Sequence, residues 1–104
     1  MSNLPNREKA FEDMYARDAD LRFKVLARRD KLTGLWAAGL LGMTGDEAAE
    51  YAKTVILADL EKPGDEDVVA KLAADLAGKA SDADIRAQLQ TCFIESERQF
   101  REAL

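Results

Sequence analysis

LTGLWAAGLLGMTG, residues 32–45, is the stretch whose reading decides the fold. It carries no charge in a chain that is 34% charged, and it holds the single tryptophan, Trp36, with Gly34, Gly39 and Gly42 among its leucines. It is too short for a membrane anchor, because crossing a bilayer takes ~20 apolar residues. It is misplaced for a secretory signal, because the N-terminus is polar and the run begins only after residue 31. The remaining reading is core. Gly34 and Gly39 then need a reason, since each costs about 1 kcal/mol against alanine inside a helix. Either they leave bare backbone for a close helix crossing or for a bulky neighbour beside Trp36, or they mark a flexible point or the approach of a ligand.

The flanks of this stretch set helix boundaries. Gly42 suits a helix C-terminus, where a left-handed residue is wanted. Thr44 with Glu47 forms a T-x-x-E capping box for the next helix. Lys62-Pro63-Gly64 breaks the chain, and Asp65 is placed to cap a third helix with Glu66 and Asp67 in its first turn. Gly78 stops that helix, and Ser81 with Asp84 repeats the capping pattern. The apolar periods agree with these bounds: Leu21, Val25, Leu32, Leu35, Trp36 and Leu40 in the first helix, Val69, Leu72, Ala73 and Leu76 in the third, and Ile85, Leu89, Cys92, Phe93 and Phe100 in the last. The second helix is apolar almost all round at Val55, Ile56, Leu57, Ala58 and Leu60, which predicts a central position. Short loops imply antiparallel neighbours. The expected fold is all-α: a small antiparallel four-helix bundle over residues 20–104, with helices at about 20–41, 44–61, 65–78 and 82–103, preceded by a mobile or extended helical arm over residues 1–19.

Length and composition fit one domain. The 104 residues are 47% hydrophobic, and a chain of this size can bury roughly 60–65% of its unfolded surface. The net charge of −5 argues against a nucleic-acid partner, which needs cations to displace counterions. The charge is uneven, however. Residues 19–31 hold five basic against two acidic residues, whereas residues 44–84 hold eleven acids against four lysines. The single cysteine, Cys92, excludes an intrachain disulfide and points to a reducing, cytoplasmic setting.

The usual catalytic parts are missing from the sequence. There is no histidine, hence no common general base and no Cys–His pair. Neither glycine-rich phosphate loop occurs. Asp65-Glu66-Asp67 lacks calcium-loop spacing and reads as the start of a helix. The chain is expected not to be an enzyme and to hold no metal.

Two features stand above this background. In the arm, Ala10, Phe11, Met14 and Tyr15 form an apolar stripe among charges of both signs, and Asp18 interrupts it before Leu21 begins the next. Such a segment either extends the first helix or packs on the bundle, or it docks as a helix in a partner's groove, folding as it binds. In FKVLARRDKL, Lys24, Arg28 and Lys31 share a helix face by spacing. That face either holds a phosphate or an acidic partner surface, or is a solvated face pairing with the acidic middle.

REKAFEDMYARD, ARRDKLTGLWAAGLLGMTGDEAAEYAK and ADLEKPGDEDV together resemble the zeta subunit family of alphaproteobacterial F-type ATP synthases. The likeness runs over nearly the whole chain and is densest at residues 7–75. It implies a four-helix inhibitor of ATP hydrolysis whose mobile N-terminal segment enters the catalytic interface between alpha and beta subunits near gamma. Hydrolytic rotation is then blocked. Carried over, the arm contacts are Arg7, Phe11, Met14 and Tyr15. The resemblance further implies alpha, beta and gamma subunits as partners, a free monomer, and a cytoplasmic place peripheral to the inner membrane with no direct insertion. It implies no cofactor beyond weak ATP or ADP binding. The alternative reading is an adenine-nucleotide-responsive helical module acting on another cytoplasmic partner.

Overall fold

The computed structural model describes residues 4–62 and 64–104; residues 1–3 of the expected arm and Pro63 of the expected break lie outside them. Five helices follow in order: α1 Leu4–Arg17, α2 Ala19–Leu40, α3 Gly45–Glu61, α4 Glu66–Asp75 and α5 Asp82–Glu102. Among the described residues there is no strand, so the chain is all-α. α2 packs against α1, α3 and α5, while α4 spans α3 and α5. The core draws on Ala37 of α2, Val55 of α3, Val69 and Leu72 of α4, Leu76 just beyond it, and Ile85 of α5.

α2, not α3, is therefore the central element. Leu57 and Leu60 are 57% and 53% exposed, and only Ala48, Ala52 and Val55 of α3 are buried. The all-apolar look of that helix misleads because α2 and α4 meet it on one side, and Leu57 and Leu60 stay exposed on another. Within α2, Leu35 and Leu40 of the expected apolar face are likewise exposed, at 37% and 40%. Small residues do the packing there instead. A Cβ on Gly34 would stand 2.7 Å from the Cα of Ala52, so α2 and α3 cross at a distance only glycine permits. Gly39 has nothing within 4 Å of such an atom, so the close-crossing reading holds for Gly34 and fails for Gly39.

The helix ends show which local signals act alone. Asp18 leaves helical geometry at φ −107°, ψ 102°, and its carboxylate accepts from the Asp20 and Leu21 amides at 3.0 and 3.2 Å. That makes α1 a helix separate from α2. Gly42 has φ +79°; its N–H donates to the Gly39 carbonyl at 3.1 Å and the Met43 N–H to Ala38 at 2.9 Å, the paired bonds of a Schellman end. Ser81 and Asp84 form the expected reciprocal box, both bonds at 3.0 Å. Two expected caps are corrected. Thr44 is at the N-cap of α3 but its side chain makes no capping bond, and Gly45 follows it in the left-handed region at φ +58°. Asp65 is at the N-cap of α4 but is itself in helical geometry, and its carboxylate is taken by Arg29 at 2.9 Å.

Candidate functional site

α1 lies on α2 and α5 instead of projecting from them. Of the expected contact residues, Phe11 is 3% exposed, Tyr15 and Arg7 are half-buried, and Met14 is 40% exposed. The Phe11 and Tyr15 ring centroids are 5.9 Å apart, and Tyr15 meets Phe93 of α5 edge-on at 6.5 Å. Such aromatic pairs contribute about 0.5–1.5 kcal/mol beyond burial. The Arg22 guanidinium donates to the Tyr15 carbonyl at 2.6 Å, tying the end of α1 to α2. A cavity of about 390 Å³ opens along the rest of this seam, and Glu8, Glu12, Glu97 and Arg101 line it with Phe11 and Tyr15. Burial raises the Glu97 carboxyl, with Arg101 opposing, and burial followed by the Glu97 charge raises the Tyr15 hydroxyl. The seam is thus aromatic at its centre and rich in carboxylates at its edge.

Beneath it sits a cluster that sequence reasoning missed. Arg29 and Asp30 are 4% and 1% exposed. Arg29 donates to one Asp30 oxygen through Nε and Nη2 at 3.0 and 2.9 Å, to Asp65 through Nη1 at 2.9 Å, and lies 3.5 Å from Asp59. One guanidinium therefore joins α2, the end of α3 and the start of α4. Burial pushes the Asp30 carboxyl up to about 8, with an Asp59 hydrogen bond in the same direction and Arg29 opposing. Burial works against the Arg29 charge, but Asp30 and Asp65 outweigh it and hold its pKa above the usual value. A signal was present in the sequence: Arg29 stands four residues after Val25 and four before Thr33, continuing the buried face. The charge concealed it.

The basic face is real as geometry. Lys24, Arg28 and Lys31 line one cleft of about 340 Å³ with Phe23, Ile56 and Phe100. Lys24 pairs with Asp20 at 3.1 Å, and Arg28 donates to Gln99 while its guanidinium lies 4.9 Å over the Phe100 ring. Cys92 is buried, in keeping with a packing role. Among the described residues no group of three metal-ligating side chains is arranged to hold an ion, and no helix is long and apolar enough to cross a membrane.

A family model described as ATPase inhibitor subunit zeta matches residues 1–99. A solved structure, described as the solution NMR structure of a protein, is similar at 44% identity with a TM-score of 0.74; the match covers 81% of this chain and 99% of that one. No curated protein matches the chain.

Proposed function

The chain belongs to the ATPase inhibitor subunit zeta family, and on that premise we propose that it restrains ATP hydrolysis by an F-type ATP synthase through α1. α1 inserts between the alpha and beta subunits near gamma, while α2–α5 serve as a four-helix bundle that anchors it at the cytoplasmic, membrane-peripheral head. The observation that carries this reading is the separateness of α1. It is a helix of its own, ended at Asp18, with Phe11 buried, Tyr15 edge-on to Phe93 of α5 and its last turn tied to α2 through Arg22. A docked helix holds one catalytic interface closed and stalls the cycle that product release requires. The chain contributes no group to the chemistry; it acts as a wedge, not as an enzyme.

Insertion requires an exchange of partners. Phe11 and Tyr15 are spent on the chain's own body in the free protein, so binding must lift α1 away and offer the same side chains to the synthase. Aromatic residues and arginine are the usual centres of interface energy, which supports Arg7, Phe11 and Tyr15 as the proposed anchors, with Met14, exposed, beside them. Hydrolysis by the purified catalytic head tests this. Full-length chain is expected to inhibit, and a chain lacking residues 1–19 is expected not to; equal inhibition by both sinks the reading.

A second reading has one specific support, the cleft that brings Lys24, Arg28 and Lys31 together beside two phenylalanine rings. Those cations suit nucleotide phosphates and the rings a base. Titration with ATP is then expected to shift the resonances of these three residues, and scattered or absent shifts dispose of it.

A further inference from the structure

Next to the basic cleft lies a second one, and together they form a surface that neither α1 nor the core uses. Phe23 and Ile56 line both. The second cleft, about 320 Å³, continues over Leu26 and Leu60, and among the described residues no cation lines it; Asp30 and Asp59, which also line it, are occupied with Arg29. Phe23 is 51% exposed and Leu60 53%, with Leu57 of the same helix also exposed. Large side chains left open side by side mark interaction surfaces, while single ones need no explanation.

We propose that this α2–α3 face, apolar over Phe23, Ile56 and Leu60 and cationic over Lys24, Arg28 and Lys31, docks an acidic amphipathic helix of the synthase head. Charge complementarity selects this occupant. A free nucleotide would fill only the cationic cleft and leave Phe23 and Leu60 in water. A helix with apolar residues at i and i+4 seats one side chain in each cleft and sets flanking carboxylates against the cations. A second copy docked face to face is a poor occupant, since it sets the same cations against each other. The proposal rests on the inhibitory reading and deepens it: α1 is the wedge, and this face supplies the affinity that brings the wedge to its interface.

The test uses the full chain and the purified catalytic head, with binding and hydrolysis measured side by side. The variants are Phe23→Ser with Leu60→Glu, and separately Lys31→Glu. All three positions are exposed, so thermal melts should match wild type. The double variant is expected to weaken binding ~10-fold or more, the effect of losing an interface anchor. Its inhibition at saturation should remain complete, because α1 is intact. Lys31→Glu is expected to weaken binding several-fold and to flatten its salt dependence. Variants that bind as wild type overturn this inference and leave the inhibitory reading standing. Binding that the variants weaken, without inhibition by wild type, overturns the inhibitory reading and leaves the docking face. Absence of wild-type binding overturns both. Concentration-dependent dimers that Leu60→Glu abolishes would reassign the face to self-association.

Discussion

α1 and α4 bury side chains to nearly the same depth and are held by very different means. Phe11 of α1 is 3% exposed and Leu72 of α4 is 0% exposed. Leu72 belongs to a core fed by α2, α3, α4 and α5, whereas Phe11 shares an aromatic seam with Tyr15 and, through it, Phe93. Neither helix is long enough to be stable in isolation, since isolated helices under ~12–15 residues are marginal in water. α4, with 10 residues, is enclosed by neighbours; α1, with 14, is held by its aromatic seam and by the Arg22 bond to the Tyr15 carbonyl. The lesson is that burial of one residue does not anchor an element. On the proposed reading α1 leaves its own body, and that arrangement suits it; α4 stays in place.

The comparison can be broken most severely at Leu72. Leu72→Ala is expected to cost about 2–5 kcal/mol, through lost burial and the cavity left behind, and chemical denaturation would read it as a lower midpoint for the whole chain. Gly34→Ala comes next. Its Cβ would stand 2.7 Å from the Ala52 backbone, and forcing α2 from α3 should cost about 1–3 kcal/mol. Phe11→Ala should behave otherwise. Its global melting point should drop by less than that of Leu72→Ala by a wide margin, while amide exchange across residues 6–17 accelerates. A loss as large as Leu72→Ala would mean that α1 is part of the cooperative core and would count against its release.

Two smaller effects sharpen the picture of the body. Asp30 has its pKa raised by burial to about 8, well above its value in an unfolded chain. The folded state therefore binds the extra proton, and the stability this provides is full below pH ~4 and declines as pH rises through 8. The melting temperature of wild type is expected to fall across that window, and Asp30→Asn, which keeps the hydrogen bonds without the charge, should flatten the slope. Smallest of all, Gly39→Ala should add about 0.5–1 kcal/mol, since Gly39 is helical and its missing Cβ would meet nothing within 4 Å.

What the sequence determined by itself is local. The Asp18 break, the Gly42 helix end and the Ser81–Asp84 box lie within a few residues of the groups they satisfy, so neighbouring chemistry was enough to find them. The apolar faces of α4 and α5 were legible for the same reason, their period being a property of one helix. Tertiary structure decided everything that depends on a distant partner. Asp65 looks like a cap from its own neighbours, yet a guanidinium 36 residues earlier takes its carboxylate. Arg28 and Arg29 are adjacent and identical in type, but one lies over Phe100 and the other is sealed among three aspartates. Gly34 and Gly39 share a helix, and only the first has a backbone pressed against it. Leu57 and Leu60 read as core and face outward. Hydrogen bonds at helix ends are short-range and written in sequence; which side of a helix is covered is set by the elements that fold against it.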